Sequence, residues 1–243
     1  MGVKALLFSE LCSFKFDREA NMKQDSGSGC AEPSASGWES VAEWFIRHSA
    51  DSTVGVRIVE LWAQDLSRGA SVLDVGCGAG SPRSEALMRK DGQVYAVDAS
   101  PTLAAAYKQK FPEARVVCQA VEESTLFDIR FDAILAWGLV FLLPPRDQRR
   151  LISRFVAALK PRGRLLFTAP KQHCTWNDAT TGQPSASMGS ESYKALLSSL
   201  GAPVVSEYDD EGQNHYYSAR KVQDTEVGTR SSKSLHSAAF GGG

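Results

Sequence analysis

Three glycines at alternating positions after a short apolar segment offer the clearest chemistry in this chain of 243 residues. The segment 71–80 reads SVLDVGCGAG, with Asp74 ahead of Gly76, Gly78 and Gly80. Glycine tolerates positive φ and lets a ligand approach backbone N–H groups, so a strand turning through glycines into a helix predicts a binding loop. The spacing lacks the third glycine of the dinucleotide fingerprint GxGxxG and has no Gly-Lys-Ser/Thr ending, which excludes a P-loop.

Further candidate side chains stand at the ends of other predicted strands. Asp98 comes 18 residues after Gly80. A carboxylate there is placed to accept hydrogen bonds from both ribose hydroxyls of a nucleotide, or it stabilises the N-terminus of the following helix. Trp137 ends a later strand, where its aromatic face would attract a cation or would simply be buried.

Alternating strands and helices must position these residues. Apolar periodicity predicts helices at 38–48, 54–66, 82–90, 101–111, 145–159 and 190–200, and strands at 72–75, 93–97, 115–118, 131–137, 164–168, 204–208 and 215–219. This alternation predicts an α/β fold with a parallel sheet covered by helices on both faces. Only the polar residues 209–214 join the last two strands, too few for a parallel crossover, so these strands are expected to form an antiparallel hairpin.

The Asp-x-Gly-x-Gly-x-Gly pattern of residues 74–80 resembles motif I of the class I S-adenosylmethionine-dependent methyltransferases. Three other segments are similar to signatures of a widespread, uncharacterised bacterial subgroup of that family: AWGLVFLL at 136–143, TWNDATTG at 175–182 and DEGQNHYY at 210–217. The resemblance covers about residues 38–221. It implies a Rossmann-like methyltransferase fold, a doubly wound and mostly parallel seven-stranded sheet with a terminal antiparallel strand.

The resemblance also implies where the cofactor, S-adenosyl-L-methionine, is held. The glycine loop would wrap its amino-acid end, with Asp74 near the methionine ammonium and Asp98 on the ribose. Ala120 departs from the family, in which many members place an Asp. In those members the Asp contacts the adenine amino group. Here the backbone groups of Ala120 and Val121, with Glu122 as a substitute acid, would make that contact, or the segment is a solvated acidic turn. The predicted cofactor-binding residues are Asp74, Gly76, Cys77, Gly78, Gly80, Asp98, Ala99, Ala120, Val121, Glu122 and Trp137.

Two segments are available for the methyl acceptor. Residues 171–187 are predicted to form a long irregular insertion after the fifth strand, and such loops are usually functional or mobile. The second segment is 209–217, in which His215 is the candidate catalytic base, since histidine is the side chain that exchanges protons near neutral pH. The alternative is that His215 is an ordinary histidine at the end of a strand. The predicted substrate-binding residues are Arg47, His173, Trp176, Asn214 and Tyr216.

Composition sets the broad class of protein. The net charge of −1 gives no electrostatic basis for nucleic-acid binding, and no apolar run is long enough to span a bilayer. The five cysteines lack CxxC spacing and are odd in number, so we expect neither a disulfide framework nor a metal site. Unpaired cysteines are usual in a reducing compartment, and we therefore expect a cytoplasmic location. We expect one methyltransferase domain at 38–222 between disordered segments at 1–37 and 223–243, and leave the oligomeric state open.

The sequence thus predicts an S-adenosylmethionine-dependent methyltransferase acting on a small molecule. One alternative is a non-catalytic binding protein on the same fold, because a fold does not fix an activity. Another is a nucleotide-linked oxidoreductase, which the incomplete dinucleotide fingerprint disfavours. Amino-acceptor nucleic-acid methyltransferases resemble one another in an Asn/Asp-Pro-Pro-Tyr element after the fourth strand. This chain lacks that element, which disfavours a nucleic-acid acceptor.

Overall fold

A computed structural model of the chain describes residues 34–80, 82–88 and 91–223. Most of the two segments expected to be disordered, 1–37 and 223–243, lies outside these residues. A helix already spans Ser34–Ser40, across the domain boundary predicted at residue 38. The helix predicted at 38–48 is two helices, because Val41 leaves the helical conformation with φ −114° and ψ 4°.

The helices are numbered in chain order and lie on both faces of a central sheet. They are α1 (Ser34–Ser40), α2 (Ala42–Ser49), α3 (Val56–Ala63), α4 (Pro82–Met88), α5 (Pro101–Lys110), α6 (Pro145–Ala158) and α7 (Ser190–Ser199), with short 3₁₀ helices at Leu126–Asp128 and Val140–Leu142.

The strands are β1 (Ser71–Val75), β2 (Gln93–Asp98), β3 (Arg115–Cys118), β4 (Phe131–Ala136), β5 (Leu159–Thr168), β6 (His173–Asn177), β7 (Pro184–Met188), β8 (Val204–Asp209) and β9 (His215–Arg220). Seven of them form one sheet in the order β3-β2-β1-β4-β5-β9-β8, and β9 runs in the direction opposite to the other six. The predicted fold class is therefore confirmed, with the antiparallel strand inserted between β5 and β8.

The core is divided by the sheet into two layers, because successive residues of a strand point to opposite faces. Leu73 of β1 faces α6 and α7, where it shares a cluster with Phe155 and Tyr193. Its neighbour Val72 faces the other way and shares a cluster with Trp62 of α3. This arrangement explains why β1 is buried along its whole length.

The start predicted for β5 is wrong. The strand begins at Leu159 instead of Arg164, and Leu159 pairs with Phe131 of β4. The register then shifts before Arg164 pairs with Ala133. Arg162 has a φ of 64°, so the Lys-Pro-Arg-Gly segment at 160–163 forms an irregularity within the strand.

The predicted irregular insertion at 171–187 is also wrong, because it contains the hairpin of β6 and β7. Trp176 stands opposite Ser185 in this antiparallel pair. The turn between the strands is held by Asp178, whose Oδ1 accepts hydrogen bonds from the backbone N–H groups of Thr180 and Thr181 at 3.1 and 2.8 Å. A polar turn of this kind supplies local order that apolar periodicity does not reveal.

The carboxyl ends of the parallel strands meet at one edge of the sheet. The glycine loop after β1, the segment after β4, the β6–β7 hairpin after β5 and the turn before β9 all gather there. In doubly wound sheets this edge is where ligands bind. Over the described ranges, no helix is both long and apolar enough to cross a membrane.

Candidate functional site

The glycine loop adopts a conformation that side chains would disturb. Gly76, Gly78 and Gly80 have φ angles of 67°, 56° and 69°. A Cβ on Gly78 would stand 3.2 Å from Phe45 of α2, and one on Gly80 would stand 2.5 Å from Phe111. The loop is tied to β2 by the hydrogen bond from the N–H of Gly76 to the carbonyl of Val97, at 2.8 Å. Glycine is thus required both by backbone conformation and by close packing.

Asp98 lies at the end of β2 and faces the glycine loop. It is 9% exposed, and its Oδ2 accepts the N–H of Gly78 at 2.8 Å while its Oδ1 accepts the N–H of Ser100 at 2.9 Å. Burial raises the pKa of Asp98 above its ordinary value, against the opposing effect of these backbone hydrogen bonds. An ionised carboxylate has about four lone-pair sites, so both oxygens can accept further hydrogen bonds. Ala99 follows it, half-buried.

Glu39 of α1 contributes to this region and was not predicted from the sequence. Its carboxylate accepts hydrogen bonds from the hydroxyls of Ser100 and Thr102, the latter at 2.6 Å, and these contacts lower its pKa. Ser100 is the N-cap of α5, with its Oγ accepting the N–H of Leu103 at 3.1 Å. The contact therefore holds α1 against the start of α5, directly after Asp98.

Asp74 lies at the base of the glycine loop. Its Oδ2 accepts hydrogen bonds from the hydroxyls of Ser84 at 2.6 Å and Tyr107 at 3.4 Å, which join β1 to α4 and α5. Burial raises the pKa of Asp74 to about 6. Its contact with the methionine ammonium stays a prediction. Cys77 is buried in a cluster with Tyr107 and Ala96, and burial raises the pKa of its thiol.

The loop after β3 is shaped by Arg154 of α6. Its Nη1 donates to the carbonyls of Val121 at 2.8 Å and Glu122 at 3.0 Å, and its Nη2 donates to the carbonyl of Ser124. The Val121 side chain is buried in the core, Ala120 is half-buried and the Glu122 side chain is exposed. The contacts of these three residues with adenine stay predictions.

A hydrogen-bonded network connects the end of β4 with the terminal turn. Trp137 Nε1 donates to the hydroxyl of Tyr216 at 2.6 Å, and this hydroxyl donates to Oδ2 of Asp210 at 2.7 Å. Asn214 Nδ2 lies 3.1 and 3.0 Å from the two carboxylate oxygens of Asp210. The guanidinium carbon of Arg83 lies 3.5 Å from the centroid of the Trp137 ring. The structure thus brings together three predicted residues and adds Asp210 and Arg83.

The segment between α2 and α3 closes over this network. Arg83 Nη1 donates to the carbonyl of Val54 at 3.0 Å. A Cβ on Gly55 would stand 2.1 Å from the Tyr216 hydroxyl and 3.1 Å from Oδ2 of Asp210. Burial lowers the pKa of Arg83, although nearby Tyr216 and the Asp74 and Asp210 carboxylates favour its charged form.

His215 lies on the other face of β9 from Tyr216. It is 6% exposed, its Nδ1 lies 2.8 Å from Oδ1 of Asp209, and its Nε2 lies 3.0 Å from Oε2 of Glu207. Hydrogen bonds from Lys194 and His215 lower the pKa of Glu207. Because both ring nitrogens face carboxylates of β8, these contacts support a structural role that joins β8 to β9. The catalytic role of His215 stays a prediction.

The remaining predicted substrate residues are spread over two elements. Arg47 is exposed on α2, and His173 is exposed on β6. Trp176 is half-buried on β6, with its ring centroid 5.5 Å from that of Phe141. Residues 34–80, 82–88 and 91–223 hold no group of three or more His, Cys, Asp or Glu side chains arranged to bind a metal ion.

Known proteins share both sequence and fold with this chain. A family model described as a methyltransferase domain matches residues 72–163. A ubiquinone biosynthesis O-methyltransferase of Coxiella burnetii is 35% identical over 117 residues, which cover 46% of this chain and 49% of that protein. The chain therefore spans about half the length of the curated relatives it matches.

Solved structures give the fold. The 1,6-didemethyltoxoflavin-N1-methyltransferase of Burkholderia thailandensis, with S-adenosylhomocysteine bound, superimposes with a TM-score of 0.64 at 20% identity, over 82% of this chain and 94% of that one. The magnesium protoporphyrin IX methyltransferase of Synechocystis, with S-adenosylmethionine bound, has a TM-score of 0.64 at 17% identity, over 80% and 100%. The [4+2]-cyclase SpnF has a TM-score of 0.55 at 18% identity, over 69% and 81%.

These likenesses agree with the site geometry. The matched domain contains the glycine loop and Asp98. Residues 72–163 thus match a methyltransferase domain, and the described residues share the fold of two methyltransferases solved with S-adenosylhomocysteine or S-adenosylmethionine bound.

Proposed function

We propose that this protein transfers a methyl group from S-adenosylmethionine to a small-molecule acceptor. The observation that carries the proposal is the pairing of the glycine loop with Asp98, whose carboxylate accepts the N–H of Gly78 at 2.8 Å. Positive φ at Gly78 lets the chain turn sharply after β1 and present the loop at the edge of the sheet. A loop and an acid placed in this way fit a nucleoside ligand.

The residues present fit the cofactor. Asp98 would bind the ribose hydroxyls, the glycine loop would surround the amino-acid end, and the backbone of Ala120 would lie on the adenine side. When bound, S-adenosylmethionine supplies a methyl group already activated on a sulfonium, so the protein contributes mainly positioning and exclusion of water.

The network at the end of β4 supplies much of that positioning. Tyr216 and Asp210 fix the plane of the Trp137 indole, and Arg83 covers one face of this ring. A sulfonium contact with Trp137 would therefore use the opposite face of the indole. The proposal assigns no base role to His215, because both of its ring nitrogens are directed at carboxylates.

The names of related proteins support a small ring-containing acceptor. The relatives described above are named for ubiquinone biosynthesis, 1,6-didemethyltoxoflavin and magnesium protoporphyrin IX. The near-neutral charge of the chain supports a reaction without a nucleic-acid partner. The cysteines of the described residues, Cys77, Cys118 and Cys174, are unpaired, as is usual in the reducing cytoplasm, and we propose that location.

Two measurements test the function. Isothermal titration should show S-adenosylhomocysteine binding in the range of about 1–100 µM, and no heat with NADH at the same concentrations. Incubation with methyl-labelled S-adenosylmethionine and a small-molecule extract of cells should then give a labelled product. Binding without any labelled product would favour the non-catalytic alternative, and failure to bind S-adenosylhomocysteine would refute the proposal.

A further inference from the structure

A cavity of about 410 Å³ lies between the β6–β7 hairpin and the N-terminus of α6. Leu143, Pro144 and Pro145, on the connection from β4 to α6, form one wall. The opposite wall includes Trp176 of β6 and Ser185 of β7, which are paired in register on these adjacent strands. The volume falls within the range of about 300–1,000 Å³ that is usual for small-ligand sites.

Both walls begin at the ligand-binding edge of the sheet. One wall follows the carboxyl end of β4 through the 3₁₀ helix Val140–Leu142, and the other follows the carboxyl end of β5. Phe141, in that 3₁₀ helix, packs on Trp176 with 5.5 Å between ring centroids. The cavity therefore shares an edge with the glycine loop and Trp137, and an acceptor seated here would approach the cofactor from the β4–β5 side.

The chemistry of the walls selects an uncharged, planar ligand. None of the described residues that line the cavity carries a charge. An ionised ligand would lose hydration without gaining a charged partner, whereas an aromatic ring would gain contact with the indole of Trp176. Charged groups are therefore disfavoured and ring systems favoured.

Ser185 adds a polar requirement. The residue is 3% exposed, and its buried hydroxyl has no hydrogen-bond partner within the described part of the chain. A buried hydroxyl without a partner is costly, so such groups are rare unless a ligand or water satisfies them. The residue lines the cavity although its oxygen is closed off from solvent, so a change of the Ser185 χ1 rotamer would turn the hydroxyl toward an occupant.

We propose that the cavity holds the ring system of an uncharged aromatic acceptor, packed against Trp176 and hydrogen-bonded through one polar substituent to Ser185. The inference rests on the proposed methyltransferase function and names its substrate class. Recognition of the ring by the hairpin would leave the end of β4 to position the atom that receives the methyl group.

The test uses 2-naphthol as an uncharged probe and 2-naphthoate as a probe with a similar ring and a carboxylate. Both are titrated by calorimetry into the full-length protein saturated with S-adenosylhomocysteine. We expect 2-naphthol to bind and 2-naphthoate to bind at least tenfold more weakly. Trp176→Ala should weaken 2-naphthol binding at least tenfold, Trp176→Phe should restore part of it, and Ser185→Ala should weaken it at least threefold.

Ser49→Ala is the matched control, because Ser49 on α2 also has a buried hydroxyl that finds no hydrogen-bond partner among the residues the structure describes. It should leave 2-naphthol binding unchanged. Each variant should keep its affinity for S-adenosylhomocysteine, which shows that it folds.

Three results would overturn the inference: no binding of 2-naphthol to the native protein, equal binding of the two probes, or equal binding by the native protein and Trp176→Ala. All three leave the proposed function intact if S-adenosylhomocysteine still binds. Loss of that binding in the native protein would instead refute the proposed function.

Discussion

The hydroxyl of Tyr216 lies 2.7 Å from Oδ2 of Asp210 and serves as the link between the terminal turn and the end of β4. It donates to Asp210 and accepts from Trp137 Nε1, so its donor and one of its acceptor positions are used. Burial and the neighbouring Asp210 carboxylate raise the pKa of Tyr216, which keeps the hydroxyl protonated. Tyr216 was predicted to touch substrate; its contacts show it fixing the side chains around the site.

Tyr216→Phe should lower the free energy of unfolding by about 1–3 kcal/mol, because it leaves buried polar groups of Trp137 and Asp210 without this partner. Urea denaturation measures the change. Tyr208→Phe is the control, since Tyr208 stands opposite Tyr216 on β8 and is only half-buried. The control should change the free energy by less than about 0.5 kcal/mol. Equal effects of the two substitutions would contradict the assigned network.

Gly55→Ala should destabilise the protein more than Gly69→Ala. Both glycines have positive φ, 76° and 74°, so the backbone strain of about 1–2 kcal/mol is common to both substitutions. Only at Gly55 would the new Cβ meet a neighbour, 2.1 Å from the Tyr216 hydroxyl, whereas nothing lies within 4 Å of it at Gly69. Thermal denaturation compares the two, and indistinguishable midpoints would show that the α2–α3 segment does not pack on Tyr216.

The buried Asp74 predicts a stability that falls as the pH rises from about 4 to 6. Its pKa is raised from 3.8 to about 6 by burial, so in this window the unfolded chain releases the proton first and stability declines. The loss from this group is on the order of 3 kcal/mol. Asp74→Asn should flatten the pH dependence of the melting temperature between pH 4 and 6. An unchanged slope in the variant would mean that other groups cause the decline.

Asp98→Ala should weaken S-adenosylhomocysteine binding at least tenfold, about 1.4 kcal/mol, because the acid that would accept the ribose hydroxyls is removed. Calorimetric titration gives the affinity. Glu113→Ala provides a control at an exposed acid in the segment between α5 and β3, and should bind like the native protein. Native affinity in Asp98→Ala would remove the ribose assignment.

His215→Gln should lower the free energy of unfolding and leave the rate of methyl transfer nearly unchanged. The substitution removes a buried side chain that contacts Asp209 and Glu207, and we expect a loss of about 1–3 kcal/mol in the free energy of unfolding. The rate of label transfer at saturating cofactor should stay within about threefold of the native rate, measured with the active extract. A folded variant slowed by about 100-fold or more, with an altered pH profile, would identify His215 as a general base instead.

Much of the fold and part of the site could be predicted from local sequence. The glycine loop, the acid after β2 and the closing hairpin each depend on a few consecutive residues, whose backbone preferences and apolar periodicity act over short distances. The strand 164–168 was predicted too short, and the hairpin at 173–188 was missed. The extra residues of the strand are held by pairing with β4, which is distant in sequence. The hairpin depends on a polar turn held by Asp178, which apolar periodicity does not reveal.

Only the tertiary structure decided which side chains meet at the site. Trp137 and Tyr216 are 79 residues apart, and Ser100 and Glu39 are 61 apart, so no periodicity records their contact. The face of β9 that His215 occupies, toward two carboxylates of β8, likewise follows from strand register. The sequence by itself determined a loop able to receive a nucleoside. The burial of distant segments against one another determined how the surrounding side chains are fixed, because hydrogen bonds and packing depend on positions in space.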